Sequence, residues 1–449
     1  MNDYDVILIG AGPSGEHCAA ALAEGGQRVA IVERGLLGGE CDYWACIPSK
    51  TLLRPGEAVA GARNAPGARE AVSGEIDSAA AFAWRDFMVS DYDDSGKVAW
   101  LEESGIDLIR GAGRIAGPGE VAVDSKTYST DHIVVSTGSD PVIPPTPGLA
   151  ELDGIWTNRG ATELKQLPGR LLVLGGGPVG VELGQAFARM GSSIALVEGA
   201  DRVLAREPEP LGRALGEALE AEGIELHFGQ FASAARRDGD EYVLDFPDGK
   251  ELRGDKLLVA TGRKPRIDGI GLETVGIEPG KRGIEVDSRM AAGDGVWAIG
   301  DVTGIWPLTY VGKYQGRVAA ANILGRSAQA NYDAVPRVVF TDPQAASVGE
   351  AEGPVSATVP IGDVPRTATY TRAYDQTSGF MTLISDGELL TGAYALGPDA
   401  GEWLQQATVA IRARVPLEVL RDTIQPFPTF SEIFLLAFEQ LGSEVQAAA

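Results

Sequence analysis

The sequence has few positive charges. Lys and Arg number 38 against 63 Asp and Glu, giving a formal charge of −25 at pH 7 over 449 residues. Nucleic acids and anionic membrane surfaces are bound through clustered cations, so this balance argues against both kinds of partner. Apolar residues make up 44% and charged residues 22%, as in globular proteins. The length predicts about two to four domains.

Long apolar runs are also missing. No segment reaches the roughly 18 uninterrupted apolar residues that a membrane-spanning helix needs. The first residues, MNDYDVILIGAG, lack a basic region followed by an apolar stretch and a small-residue cleavage site, so no secretory signal is predicted. We therefore expect a cytoplasmic protein without membrane insertion.

Cysteine and histidine are scarce, with three of each. Only Cys41 and Cys46 lie close together, in GGECDYWACIPSK at 38–50, so no zinc-type cluster is predicted and no metal ligand is assigned. In a reducing compartment such a pair is more often catalytic or metal-binding than a structural disulfide, which remains the alternative. Cys18 lies on the small-residue face of the first predicted helix and is interpreted as a packed, unreactive thiol.

Glycine, in contrast, is abundant, and one turn stands in a recognisable context. The segment DYDVILIGAGPSGEHCAAALAEGGQRVAIVE predicts a strand at Val6–Ile9, a glycine turn, a small-residue helix and a strand ending at Glu33. Such glycines let the backbone approach a pyrophosphate, the helix N-terminus faces the negative charge, and the acidic residue accepts ribose hydroxyls. The predicted dinucleotide-binding residues are Gly10, Gly12, Gly15 and Glu33.

The same pattern recurs in RLLVLGGGPVGVELGQAFARMGSSIALVEGADRVL. Its turn contains Gly175, Gly177 and Gly180, and Glu198 closes its second strand, so a second dinucleotide site is predicted. A carboxylate at this position repels a 2′-phosphate and binds a free 2′-hydroxyl, which favours NADH over NADPH. Arg202 lies shortly downstream and is the cation that would oppose this preference.

Composition also indicates where the regions begin and end. The proline-rich PVIPPTPG at 141–148 predicts a linker into the second nucleotide unit, which extends to LLVATGRKPR at 257–266. The alternating segments of 331–397 indicate an antiparallel sheet. Helices are predicted at 401–413 and 431–441.

Seven motifs carry a resemblance to a known family. In chain order they are GAGPSG, Cys-x4-Cys-x-x-Ser-Lys, VVSTGS, GGGPVGVE, ATGRKP, AIGD and PTFSE. Over nearly its whole length the chain resembles the FAD-dependent pyridine nucleotide–disulfide oxidoreductases, the group of dihydrolipoamide dehydrogenase, glutathione reductase and mercuric reductase. The resemblance implies an α/β fold with two Rossmann-like domains, for FAD and NAD, and a C-terminal α+β dimerisation domain, hence a homodimer. The implied domains are 1–145 with 268–332 for FAD, 146–267 for NAD(P), and 333–449 for dimerisation.

The resemblance also implies how FAD is held. The first glycine turn and Glu33 would hold its adenosine half. The other implied FAD contacts are Gly113 at the adenine, Gly138 at the pyrophosphate region, Asp301 at the ribityl chain and Thr309 near the isoalloxazine. Gly262, in the ATGRKP motif, is included among the expected cofactor-binding residues.

The same resemblance implies roles around the cysteine pair. Cys46 would face the flavin C4a, and Cys41 would meet the substrate, so that electrons pass from NADH to flavin, to the disulfide and then to an acceptor. Lys50 would lie beside the flavin, paired with Glu182, because a buried ammonium needs a counter-ion.

One position departs from the family pattern. The disulfide reductases of this group usually end in His-Pro-Thr with a glutamate shortly after, and this histidine serves as acid–base partner to the other subunit's dithiol. Here the chain reads QPFPTFSE, so Phe427 takes the histidine position while Glu432 is kept, and both are counted in the expected catalytic site. The chain's histidines, His17, His132 and His227, are interpreted as structural. Solvent or another residue then supplies the proton, or the acceptor needs none.

Three functions follow from these patterns. The first is an NADH-dependent flavoenzyme that uses the dithiol to reduce a disulfide or related small acceptor. The second is a quinone or metal-ion reductase, for which mercury is disfavoured because the tail GSEVQAAA lacks the cysteine pair common in mercuric reductases. The third is a redox-sensing flavoprotein with negligible turnover.

The aromatic side chains of Tyr43, Trp44, Phe427 and Phe430 suggest an apolar approach to Cys41, or alternatively subunit packing.

Overall fold

The structure, a computed structural model, describes residues 2–364 and 379–448. The helices are α1 Pro13–Glu24, α2 Gly39–Tyr43, α3 Cys46–Arg63, α4 Ser78–Met88, α5 Ser95–Glu103, α6 Asn158–Thr162, α7 Pro178–Arg189, α8 Glu209–Ala221, α9 Thr309–Ile323, α10 Ala400–Trp403, α11 Gln405–Ala413, α12 Leu417–Arg421 and α13 Ile433–Ala448. The strands are β1 Tyr4–Ile9, β2 Val29–Glu33, β3 Ile106–Arg110, β4 Gly113–Gly117, β5 Glu120–Val123, β6 Lys126–Val135, β7 Ser139–Pro141, β8 Arg170–Leu174, β9 Ser193–Glu198, β10 Glu225–Phe228, β11 Ala234–Asp238, β12 Glu241–Asp245, β13 Glu251–Gly254, β14 Lys256–Val259, β15 Arg263–Pro265, β16 Ala291–Gly293, β17 Val296–Ala298, β18 Arg337–Val339, β19 Gln344–Gly349, β20 Val355–Pro360, β21 Phe380–Ser385 and β22 Leu390–Gly397.

The first of two units in the chain comprises Met1–Pro48, Trp84–Val142 and Gly262–Asn331. Its main sheet has the order β16-β17-β6-β1-β2-β3, and β4 and β5 extend it beside β6. Strand β1 pairs in parallel with both β2 and β6, and its apolar residues are buried. A short apolar run of this kind suits a parallel strand covered on both faces. The predicted first strand and the strand ending at Glu33 are therefore confirmed.

Helices α1 and α9 of this unit pack closely through small residues. A Cβ on Gly312 would lie 2.0 Å from the Ser14 hydroxyl oxygen, and a Cβ on Gly316 would lie 3.3 Å from the Cys18 Cβ. Since these contacts advance together along both helices, α1 and α9 run parallel. Their N-termini therefore lie at the same edge of the sheet.

The second unit comprises Ser49–Ala83, Ile143–Thr261 and Tyr332–Ala449. Its parallel sheet has the order β10-β9-β8-β14, beside an antiparallel sheet β11-β12-β13. Strand β8, helix α7 and strand β9 follow one another as the second dinucleotide pattern predicts. That prediction of local structure is confirmed.

The C-terminal part of the second unit contains a five-stranded antiparallel sheet of order β18-β19-β22-β21-β20. The predicted antiparallel sheet is confirmed where it is described, and 365–378 lies outside the described residues. The helix predicted at 401–413 is divided into α10 and α11 at Leu404, and the last predicted helix is α13. The three-domain boundaries stay a prediction.

The sequence also predicts that the chain has no membrane-spanning helix. Within residues 2–364 and 379–448, no helix combines the length and the apolar character needed to cross a membrane.

Candidate functional site

The first glycine turn brings backbone atoms close together. Gly10 has φ +107°, and a Cβ there would lie 2.5 Å from the Ser136 carbonyl oxygen. A Cβ on Gly15 would lie 2.2 Å from the Gly10 carbonyl oxygen, whereas one on Gly12 would meet nothing within 4 Å. The turn is therefore tightly packed at Gly10 and Gly15 and has free space at Gly12, directly before a 12-residue helix. This arrangement fits a dinucleotide pyrophosphate.

Glu33 has a role that the sequence did not indicate. Its carboxylate accepts hydrogen bonds from the backbone N–H of Ala11 at 2.9 Å and of Gly35 at 2.7 Å. It therefore holds the glycine turn against the chain that follows β2. Each carboxylate oxygen has a further lone pair, so a ribose hydroxyl can still donate to it.

The other residues expected around FAD also lie in the first unit. The Ser139 hydroxyl donates to Asp301 Oδ2 at 2.5 Å, which fixes this carboxylate next to Gly138 at φ +79°. Gly113 begins β4, where a Cβ would lie 2.9 Å from Val32 Cγ1. Gly262 has φ +130°, a backbone conformation that favours glycine.

The second glycine turn repeats this design in the second unit. A Cβ on Gly180 would lie 2.0 Å from the carbonyl oxygen of Gly175, which has φ +112°, while one on Gly177 would meet nothing within 4 Å. The Glu198 carboxylate accepts the N–H of Gly176 at 2.7 Å and of Ala200 at 2.8 Å. The residues present therefore fit a second dinucleotide.

Arg202, the cation after Glu198, binds within its own loop. Its guanidinium donates to Asp201 Oδ1 at 3.0 Å and to the Ala205 carbonyl at 3.1 Å. The Arg202 guanidinium is therefore bonded to its own loop, and Glu198 is the charged residue at the end of β9.

Three elements bring the cysteine pair together with one hydroxyl. Cys41 lies in α2, Cys46 begins α3 and Thr309 begins α9. The Thr309 Oγ1 lies 3.3 Å from each of the two sulfurs and donates to Cys41. The pKa of Cys41 is raised, first by its hydrogen bond with Cys46 and then by burial. Both thiols are free and half-buried.

The ion pair expected between Lys50 and Glu182 is present. Lys50 Nζ lies 2.7 Å from Glu182 Oε2, and the glutamate is almost fully buried. Phe340, which the sequence did not single out, donates its backbone N–H to Glu182 Oε1 at 2.9 Å, and its ring centroid lies 4.7 Å from Lys50 Nζ. The cation–π contact and the hydrogen bond together fix the ion pair.

The C-terminal motif places its residues in different surroundings. The Phe427 side chain is 59% exposed. Glu432 Oε2 is buried, and the part of the chain that the structure describes offers it no hydrogen-bond partner. Phe430 stacks on Trp403 with ring centroids 6.5 Å apart.

The aromatic residues between the cysteines pack on one another. Tyr43 is only 3% exposed, and its ring lies 5.6 Å from Trp44 and 6.3 Å from Tyr92. Burial raises the pKa of Tyr43 to about 12. Tyr43 therefore packs against neighbouring rings and stabilises the segment that contains the two cysteines.

The histidines and the third cysteine have contacts of their own. A ring nitrogen of His17 bonds to the Pro13 carbonyl, His132 accepts from Trp297, and His227 faces Glu225 at 3.8 Å. Cys18 is fully buried, and burial raises its pKa to about 12, as expected for an unreactive thiol. In the described ranges, no three His, Cys, Asp or Glu side chains cluster as metal ligands.

Comparison with known proteins adds to this geometry. Residues 4–316 match the family profile of pyridine nucleotide-disulphide oxidoreductases, and residues 335–438 match the dimerisation domain of the same family. A dihydrolipoyl dehydrogenase of Thermus scotoductus is 36% identical over 458 residues, covering 99% of this chain and 98% of the relative. A mercuric reductase of Streptomyces lividans is 36% identical over 467 residues, covering 98% and 97%.

Solved structures agree with these relatives. The HOCl-induced flavoprotein disulfide reductase RclA of Escherichia coli, determined as a Cu(II) complex, superposes with a TM-score of 0.86 at 28% identity, covering 97% of this chain and 99% of that one. LpdA of Mycobacterium tuberculosis gives a TM-score of 0.86 at 26% identity, covering 97% and 99%. The chain therefore belongs to the pyridine nucleotide-disulphide oxidoreductase family, whose members are NAD(P)H-dependent flavoprotein enzymes.

Proposed function

We propose that this enzyme transfers electrons from NADH through FAD to the Cys41–Cys46 pair and from Cys41 to a small acceptor. The observation that carries this proposal is the single Thr309 hydroxyl at 3.3 Å from both sulfurs. A hydroxyl with one hydrogen and two lone pairs can donate to one sulfur and accept from the other. It can therefore hold the two thiols together after their disulfide has been reduced.

The residues that would hold the cofactors follow from the two glycine turns. The first turn with Glu33 would hold FAD, with further contacts from Gly113, Gly138, Gly262, Asp301 and Thr309. The second turn with Glu198 would hold NADH. FAD, when bound, exchanges two electrons between the nicotinamide and the cysteine pair. Lys50 would lie beside the flavin, held by its ion pair with Glu182, which also accepts the Phe340 N–H.

The dimerisation domain supports a homodimer as the working form. In that assembly we propose that the C-terminal motif of one subunit serves the dithiol of its partner. Phe427 would then present an apolar ring in the place of a proton donor, and Glu432 would have no imidazole to orient.

A thiophilic metal ion is the acceptor class that this arrangement favours over a disulfide. Reducing a disulfide to two thiols takes two electrons and two protons, whereas reducing a metal ion takes electrons alone. A general acid typically contributes about 100- to 10,000-fold to proton transfer, and phenylalanine cannot supply it. Mercuric reductases and the Cu(II)-bound RclA are among the relatives, as is an equally similar dihydrolipoyl dehydrogenase, so the choice of a metal ion rests on the missing proton donor.

An anaerobic acceptor panel tests this function. NADH consumption by the FAD-loaded enzyme is followed with Hg(II), Cu(II), lipoamide, glutathione disulfide and menadione at equal concentration. We expect a metal ion to exceed either disulfide by about 100-fold, and EDTA to stop the Cu(II) reaction. A disulfide as the fastest acceptor would reject the metal-ion assignment, and no turnover with any acceptor would favour the redox-sensing alternative.

Coenzyme preference depends on the charge of Glu198. We expect a higher kcat/KM for NADH than for NADPH, because a 2′-phosphate would face this carboxylate. Glu198→Gln removes the charge and keeps one of the two oxygens that accept the Gly176 and Ala200 N–H groups, so it should narrow the ratio by about tenfold, the effect of roughly 1.4 kcal/mol. Glu220→Gln, an exposed glutamate on α8 of the same unit, is the control and should leave the ratio unchanged. A wild type that prefers NADPH would show that another cation governs this site.

A further inference from the structure

Lys97 connects the cysteine segment to the first glycine-turn helix. Its Nζ lies 3.0 Å from both carboxylate oxygens of Glu16 on α1 and 2.7 Å from Asp42 Oδ2. Asp42 directly follows Cys41 in α2, and Glu16 is only 7% exposed. One ammonium on α5 is thus shared by two carboxylates, one of them adjacent to a reactive cysteine.

The turn before α5 is held in a strained conformation against the same segment. Three consecutive non-glycine residues, Ser90–Tyr92, have φ values of +52°, +50° and +60°. The left-handed region costs about 1–2 kcal/mol per residue, and such strain persists only where the surroundings impose it. Here Tyr92 stacks on Tyr43, which lies between the cysteines.

Asp94, at the start of α5, makes a third connection. Its Oδ2 accepts the backbone N–H of Leu37 at 2.8 Å and a guanidinium N–H of Arg110 at 2.5 Å. Leu37 lies just before the cysteine segment. Together, Tyr92, Asp94 and Lys97 fix the beginning of α5 against the chain around Cys41.

The charge of the cysteine pair changes when its disulfide is reduced. A hydride supplies two electrons and one proton, so cleavage of the Cys41–Cys46 disulfide bond leaves one thiol and one thiolate. The oxidised pair is neutral and the reduced pair carries one negative charge. The Thr309 hydroxyl that contacts both sulfurs is itself neutral. Ionised groups next to the pair therefore change the free energy of its reduced form.

We propose that Lys97 is a positioning residue that sets the reduction potential of the Cys41–Cys46 couple. It holds Asp42, the carboxylate next to Cys41, in place and compensates part of the negative charge that Asp42 and Glu16 carry together. Lys97, Glu16 and Asp42 together carry one negative charge when all are ionised. This inference rests on the proposed function, because it requires the two cysteines to form a redox couple.

Two single variants distinguish an electrostatic role of Lys97 from a purely structural one. Lys97→Met leaves two uncompensated carboxylates, so the equilibrium constant for reducing the disulfide should fall about tenfold, a potential about 30 mV more negative. Asp42→Asn removes one carboxylate and should move the potential in the opposite direction by a similar amount. Both variants break the same Lys97–Asp42 contact, so a purely structural role would move the potential in one direction.

Three further variants complete the set. Lys97→Arg keeps the charge and should stay near the wild-type potential, and the double variant Lys97→Met/Asp42→Asn should return close to it. Lys250→Met is the control, because it removes a lysine paired with Asp248 at 3.0 Å in the second unit. Its potential should equal that of the wild type.

The measurement uses the full-length, FAD-loaded protein at pH 7. Samples are equilibrated in buffers of oxidised and reduced dithiothreitol, quenched with acid and alkylated, and alkylation of Cys41 and Cys46 is counted by mass spectrometry. Shifts of the same sign in Lys97→Met and Asp42→Asn, or no shift in either, would overturn the inference. If Lys97→Met does not fold, an unchanged or more negative potential in Asp42→Asn overturns it alone. A wild-type pair that stays alkylatable in every buffer would instead reject the proposed function, and this inference with it.

Discussion

Cys41→Ser should lower steady-state NADH oxidation with a thiophilic metal ion or a disulfide by roughly a thousandfold or more. Cys41 and Cys46 are the two sulfurs that share the Thr309 hydroxyl, so a serine at position 41 removes the disulfide and the thiol that passes electrons on. The glycine turns are untouched by this change. The first reduction of bound FAD by NADH, followed anaerobically by stopped-flow absorbance, should therefore stay within about twofold of wild type.

Cys18→Ala is the matched control for this variant. Cys18 is fully buried on α1, where its thiol is unreactive, so the control should keep wild-type acceptor specificity. Wild-type turnover by Cys41→Ser would contradict the role of the dithiol. If that turnover appeared with menadione alone, electrons would reach quinones directly from the flavin.

Phe427→His should raise disulfide reduction by about 100-fold, the lower end of what a positioned acid–base group contributes. That factor corresponds to about 3 kcal/mol in the transition state. Glu432, the carboxylate that follows the histidine in the family pattern, keeps a buried oxygen for which the described residues provide no partner. Lipoamide and glutathione disulfide reduction should rise, and the rate should acquire a pH dependence near pH 6.5, the ordinary pKa of histidine.

Phe427→Leu separates the imidazole from a change in shape. It replaces one apolar side chain by another at an exposed position, so disulfide reduction should remain as slow as in the wild type. Reduction of FAD by NADH should be nearly unchanged in both variants. A wild type that already reduces a common disulfide at hundreds per second would show that another group supplies the proton.

The parts of the site that the sequence predicted are those set by local backbone geometry. Gly10 and Gly15 are required because a side chain at either would collide with a backbone oxygen within the same turn or the adjacent strand end. Such constraints are contained in a short segment and are readable there. The Lys50–Glu182 pair came from the family resemblance, because 132 residues separate its two members.

The contacts that the sequence did not predict depend on packing between distant elements. Thr309 begins α9, and its contacts with the sulfurs depend on how α9 packs along α1 through small residues on both helices. Lys97 lies in no recognisable motif, and its contact with Glu16 joins two residues that are 81 positions apart in the chain. The pattern of aromatic residues also could not place Phe430, since stacking on Trp403 and lining a cleft require the same residue type.

The most direct test of a redox-active Cys41–Cys46 pair is an anaerobic reductive titration of the FAD-loaded enzyme with dithionite. Because a disulfide is a two-electron couple, the wild type should accept about four electrons per bound FAD, two for the cofactor and two for the cysteines. Cys46→Ser, which cannot form the disulfide, should accept about two. A wild type that accepts only about two electrons, equal to the variant, would contradict the account.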